Sequence, residues 1–250
     1  MIIETENPKG EIIYFDDSIH CYFNPLTKKV YQAVTKTVSN CFPKFNVDFV
    51  AKKVAAKRGI RPEILKKEWA VNRDQAAAFG TRVHKVAEAR LIHKEMPEAT
   101  TAKEKKYFWH LNSFITSLEK QKYEILATEL IVFNTALNIA GTLDVVLLSP
   151  KGKYIIGDWK TNEEFKLSNM WQKGLGALAH LDDCHLNRYS LQDNLYNKIL
   201  LEGNYFPTDN YEMMLYHVGK EGVTEYSVEH MDDEVQIILG GNLNATRTAF

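Results

Sequence analysis

Two aspartates fourteen positions apart constrain this chain more than any other feature. Asp144 lies in Ile139-Ala-Gly-Thr-Leu-Asp-Val-Val-Leu-Leu148 and Asp158 in Lys153-Tyr-Ile-Ile-Gly-Asp-Trp-Lys160, both rich enough in β-branched and apolar residues to be strands. Ser149-Pro150-Lys151-Gly152 between them has the composition of a hairpin turn. Alternation puts Asp158 and Lys160 on one face, about 6.6 Å apart along the strand, with Trp159 on the other. Asp144 shares a face with Thr142 and Val146, so closing the hairpin brings it beside Asp158. Two carboxylates and an ammonium at neighbouring strand ends can hold Mg²⁺ or Mn²⁺ against a phosphodiester, because hard oxygen ligands suit these ions and a lysine can orient the water or stabilise developing charge. Taken singly, each aspartate also suits a strand-end cap and Lys160 an edge-strand lysine. Aspartate is nevertheless depleted from strand interiors, and here two of them interrupt strongly apolar runs.

Bulk composition excludes several classes. At 250 residues, with 45% hydrophobic and 25% charged residues, the chain is ordinary globular material with room for a full core. No apolar run approaches a membrane span, and Met1-Ile-Ile-Glu-Thr-Glu lacks the basic and apolar regions of a secretory leader, so a cytoplasmic protein is expected. Cys21, Cys41 and Cys184 are too few and too scattered for a disulfide framework or a thiolate zinc site. The net charge of −1 averages two opposed regions. Residues 51–94 carry twelve Lys/Arg against four acids, a balance of +8; residues 201–240 carry one lysine against nine acids, a balance of −8. The basic region gives the local field a polyanion requires, although a solvated helix face would read the same way.

Along the chain, residues 11–33 alternate around Asn24-Pro25-Leu26-Thr27 and predict a β-hairpin. Helices are expected from Asn46 to Arg58, from near Pro62, over 73–94 and over 102–120. Strands are expected near 126–134, 137–148 and 153–160, a helix over 187–202, strands near 211–218 and 223–228, and a helical tail from Met231. This order predicts one α/β domain with a central mixed sheet flanked by helices: an N-terminal hairpin and basic helical part (1–120), a core (121–230) and a C-terminal tail (231–250).

Two further segments complete a pattern. Gly80-Thr-Arg-Val-His84-Lys-Val-Ala-Glu88 lies upstream of the hairpin, and Tyr189-Ser-Leu-Gln192-Asp-Asn-Leu-Tyr196 downstream. With Gly141-Thr-Leu-Asp144 and Asp158-Trp-Lys160-Thr161, these four elements resemble, in order, the motifs of the PD-(D/E)XK nuclease superfamily, specifically its RecB-like and phage-type exonuclease branch. That resemblance implies a restriction-endonuclease-like core and Mg²⁺-dependent hydrolysis of DNA. In it, Asp144, Asp158, His84 and the Trp159 carbonyl hold the metal, and Lys160 positions the water. Glu129 matches a glutamate of the branch that assists a second metal or the lysine. Gln192 and Tyr196 sit one helical turn apart and reach the substrate; Thr161, Arg82 and Lys85 are further substrate contacts. Glu88, on the same face as His84, would fix the imidazole or bind metal through water, and Gly80 would let the helix approach closely. One position departs from the pattern: Asp193 stands where leucine usually follows the glutamine, which predicts a rotated or more exposed helix.

Some relatives hold an iron–sulfur cluster through four cysteines; this chain has three, so none is expected. The reading implied is a DNA exonuclease of recombination, repair or phage metabolism in a bacterial or phage-infected cell. Its DNA would have free ends or be single-stranded, with a homo-oligomer or a recombination protein as partner. An endonuclease of the same fold and a catalytically idle DNA-binding or assembly subunit remain the alternatives.

Overall fold

The computed structural model describes residues 1–241 and begins with three antiparallel strands, β1 (Ile2–Glu6), β2 (Ile12–Asp16) and β3 (Cys21–Phe23). The turn expected at Asn24–Thr27 exists, with Lys28 N donating to Asn24 O at 2.9 Å, but beyond it only a single bridge joins Phe23 to Val30. The hairpin instead turns at 17–20, where Asp16 Oδ1 accepts from Ser18 N at 3.0 Å, a local Asx bond that the alternation pattern does not reveal. Ile13, Phe15, Tyr22 and Tyr31 bury themselves on Ile131, Phe133 and Ala140, anchoring this small sheet to the main one.

After β4 (Gln32–Ala33) and α1 (Val34–Asn40) comes α2 (Val47–Arg58), whose N-cap Asn46 accepts from Phe49 N at 2.9 Å. α3 (Pro62–Leu91) is one helix of 30 residues where the sequence predicts two. Pro62 is compatible with the first turn, and Gly80 alone is a poor interior helix former, so nothing breaks it. Its first part packs Leu65 on Ala51 and Ala55 of α2; its last part buries Val83, Val86, Ala87 and Leu91; between them residues 71–78 are exposed all round. α4 (Ala102–Lys120), capped by Thr101, follows as expected.

The strands β5 (Glu124–Asn134), β6 (Ile139–Leu148) and β7 (Tyr154–Lys160) precede α5 (His185–Gly203), β8 (Tyr211–Val218), β9 (Val223–Val228) and α6 (Asp232–Leu239). Of the tail expected over 231–250, positions 242–250 lie outside the described residues. The result is the α/β fold expected: a mixed six-stranded sheet with helices on both faces. Leu191, Leu195 and Ile199 of α5, with α1 and α6, cover one face; α4 and the end of α3 cover the other, where Trp159 lies against Tyr216 at 4.9 Å between ring centres. No helix among the described residues is long and apolar enough to cross a membrane.

What positions the site is a split in this sheet. β5 borders β6 along nearly its whole length. On the opposite edge, β4 pairs in parallel with Ile139 and Ala140, and β7 pairs antiparallel with Val145–Leu148. Gly141–Asp144 have no strand partner on that edge, so their backbone groups and side chains are available to other elements.

Packing beside the split is close. A Cβ at Gly157 would sit 2.5 Å from Tyr216 Cε2 and 2.7 Å from Val145 Cγ1, so the strand accepts no side chain there. Gly157→Ala is expected to cost roughly 1–3 kcal/mol by overpacking. Urea unfolding would show it as a lower midpoint at unchanged m-value; an unshifted midpoint would mean that the ring and the valine simply give way.

Candidate metal centre

Register alone assembles the acids. Val145 faces Gly157 across β6 and β7, so the next pair out is Asp144 with Asp158. On the other side Thr128 faces Val145 and Leu130 faces Leu143, which puts Glu129 opposite Asp144. Glu129, Asp144 and Asp158 thus form a row across three adjacent strands. Glu129 adopts φ +45°, a left-handed conformation uncommon for a residue with a side chain, and it makes no ladder pair.

Helices from both faces reach this row. From α3, His84 Nδ1 lies 3.2 Å from Asp144 Oδ1 and Nε2 lies 3.0 Å from the Trp159 carbonyl oxygen. Trp159 N donates to Asp144 Oδ2 at 2.7 Å, tying the hairpin together where the ladder has ended. From α5, Gln192 Nε2 donates to Asp158 Oδ1 at 3.3 Å and Tyr196 OH to the Thr142 carbonyl at 2.9 Å. Asp158 also forms a close ion pair with Lys160, whose Nζ stands 4.2 Å from the centre of the Tyr189 ring. A Cβ at Gly141 would come 2.7 Å from the Tyr196 ring, which explains the glycine.

The electrostatics are those of too many acids in one dry place. Burial, and then Asp144, push Asp158 up to about 7 despite Lys160; burial and Asp144 likewise push Glu129 up to about 7. Asp144 moves the other way: burial opposes its charge, but His84 and Lys160 hold it down to about 2. Burial disfavours the charge on His84, yet Asp144 raises it to about 9. Lys160 is likewise held as a cation by Asp158 and Asp144 against its burial. His84, Glu129 and Asp144 each offer a ligand atom within 4.8 Å of the others. Two carboxylates and an imidazole with such an acid excess suit a hard divalent cation.

The expected ligands Asp144, Asp158 and His84 line one pocket, and the two carboxyl groups lie within hydrogen-bond reach of each other. The imidazole nitrogens are divided between Asp144 and the Trp159 carbonyl, Asp158 is also held by Lys160 and Gln192, and Glu129 adds a ligand atom within 4.8 Å of those of His84 and Asp144. Other expectations need correction. Glu88 does not fix the imidazole, since both nitrogens are engaged; its charge is felt by Glu129. Arg82 lines the cleft beside the centre, while it pairs closely with Glu104 and donates from Nη2 to the Glu98 carbonyl at 2.6 Å, binding α3 to the start of α4. Lys85 is exposed and lines neither cavity at the site. Asp193 does not turn α5 outward. It is fully buried, neither carboxylate oxygen has a hydrogen-bond partner among the described residues, and burial with Asp158 nearby pushes it well above the carboxylate range. Gly80 does permit a close approach, since a Cβ there would lie 3.2 Å from Thr161 Oγ1.

Residues the sequence reading missed come from the N-terminal sheet. Tyr22 OH lies 2.9 Å from Thr142 Oγ1, and His20 lines the same 250 Å³ pocket as Asp144, Asp158 and Glu129. Alternation marks Tyr22 as buried, but nothing local shows that it is buried over this centre. Arg82→Ala is expected to destabilise by about 1–3 kcal/mol, because it leaves Glu104 buried without its main partner. Arg82, with Thr100, holds that carboxyl down to about 2, so this contribution is present at neutral pH and disappears as pH falls through that value. Thermal melts of both forms at pH 7 and pH 2.5 would check it; an equal gap at both would end the assignment.

No family model and no curated protein matches the chain. Among the solved structures that match is the crystal structure of SSO0001, 16% identical, covering 84% of this chain and 73% of that one with a TM-score of 0.35.

Proposed function

We propose that the protein is a metal-dependent nuclease of the PD-(D/E)XK kind, hydrolysing DNA phosphodiester bonds from free ends. The observation that carries this reading is the row Glu129–Asp144–Asp158, met at a split in the sheet by His84 from one face and Gln192 from the other. A divalent cation bound by His84, Glu129 and Asp144 would neutralise phosphoryl oxygens and acidify water. Lys160 keeps its ammonium beside Asp158, where it can hold a water in line with phosphorus and stabilise the charge that gathers there. Trp159 N–H ties β7 to Asp144 of β6, and Tyr196 holds β6 from α5 at the Thr142 carbonyl, so the acids need little reorganisation when substrate arrives. Gln192 holds the second oxygen of Asp158.

End-labelled linear and covalently closed circular DNA, incubated with Mg²⁺, Mn²⁺ or EDTA, test the reading. Metal-dependent loss from ends with circles spared is expected; nicked circles would make it an endonuclease, and inertness toward all DNA and RNA an idle subunit. Lys160→Ala is expected to lower turnover roughly 10²–10⁴-fold while Mn²⁺ affinity stays within a few-fold.

A further inference from the structure

We propose that α2 and the first part of α3 form an arm that grips the phosphates of a single nucleic-acid strand, and that the cleft beside it leads this strand to the metal centre. The inference rests on the nuclease reading and assigns the surface that carries the substrate.

Two cavities meet at His84 and Lys160. One is the small metal pocket; the other is an open cleft of about 1100 Å³ on its far side. One wall of the cleft is the stretch of α3 that packs on nothing, so the helix spans the opening as a bar rather than as a core element. The lining has what an unpaired strand offers partners for. The amides of Asn72 and Gln75 can bond base edges, and Arg73 and Lys103, exposed although paired with Asp74 and Glu163, can meet phosphates. In a duplex the base edges are already paired, and an acidic peptide has none.

Beyond the cleft, residues 44–73 carry nine Lys/Arg against three acids. Lys66 and Arg58 are paired with Asp48 and Glu68, but Lys52, Lys53, Lys57, Arg61 and Lys67 form no ion pair among the described residues. The arm's own packing, through Ala51, Ala55 and Leu65, does not require them. Phe45 and Phe49 stand 60% and 64% exposed at the same helix start. The balance of −8 over 201–240 repels a polyanion, so the field is directional.

The test is a variant carrying Lys52→Glu, Lys53→Glu and Lys57→Glu, with a Lys→Gln triple as its milder counterpart. Fluorescence anisotropy reads binding of a short labelled oligothymidylate in EDTA over a range of KCl concentrations. Hydrolysis of bis(p-nitrophenyl) phosphate with Mn²⁺ reads the metal centre without the arm. We expect strand affinity to fall roughly tenfold or more and the salt slope to shrink by about 2, at about 0.7 per phosphate contact, with diester hydrolysis unchanged. Unchanged affinity and slope in both triples overturn the proposal. So does a blunt duplex binding as tightly as the single strand, or polyglutamate competing as well as the oligonucleotide. An unaltered protein that leaves the diester intact, while strand affinity still responds to the arm, ends the nuclease reading and supports the arm.

Discussion

Asp144→Asn is expected to abolish divalent-cation binding and to reduce cleavage by roughly 10³-fold or more, with the fold retained. The figure corresponds to losing several kcal/mol of charge stabilisation from the bound cation. Asp144 is the hub of the centre: one oxygen accepts from Trp159 N and the other faces His84 Nδ1. Asparagine is isosteric and its carbonyl can still accept from Trp159, so the hairpin tie survives. What disappears is the charge that overcomes the burial of His84 and raises it to about 9. Without it, burial dominates and the imidazole titrates near or below its ordinary value of 6.5. Calorimetric Mn²⁺ titration checks the first effect and NMR titration of the His84 ring the second. An imidazole still titrating near 9 in the variant would show that another group sets its charge, and the hub assignment would fall.

Glu129 sets stability against function, and two substitutions separate the contributions. Its φ of +45° costs about 1–2 kcal/mol in a residue with a Cβ, and glycine escapes this. Glu129→Gly is expected to recover part of that strain, raising the thermal midpoint of the metal-free protein, while weakening Mn²⁺ binding and cleavage. Glu129→Gln keeps the strain and loses the ligand charge. Burial and Asp144 place the carboxyl near 7 in the folded state against 4.5 as its ordinary value. Between those values the folded chain holds a proton that the unfolded chain has released, so metal-free stability falls as pH rises from about 4.5 to 7 and levels off above. Metal binding is expected to have the opposite slope, strengthening through pH 7 as the proton leaves. Glutamine should flatten both dependences, although Asp158, raised by the same crowding, leaves a residue of each. A glutamine variant with wild-type Mn²⁺ affinity would remove Glu129 from the ligand set.

The hairpin was legible because its determinants are local. A Ser-Pro-Lys-Gly turn between two apolar runs marks the hairpin and brings Asp144 near Asp158; the pairing itself rests on Lys153 joining the loop, which sets Leu148 against Tyr154 and hence Asp144 against Asp158. The helix start at Asn46 was legible for the same reason: a cap is bonded within three residues. The run from Pro62 to Leu91 reads as two helices in the sequence, since the exposed stretch 71–78 has no apolar periodicity to link the halves. Helical propensity carries it across.

Sequence by itself determined the sheet hairpin, its acidic pair, the adjacent lysine and the helices that carry His84 and Gln192. Tertiary structure alone decided the rest: that β4 and β7 part along β6 and open the sheet; that Glu129 is forced out of its ladder to become the third acid of the row; that Arg82 pairs with Glu104; and that Tyr22 closes over Thr142 from a strand 120 residues distant. The division has one cause. Strand register and helix caps are settled by neighbours within a few residues, whereas the partner a buried charge finds depends on which distant groups lose their water with it.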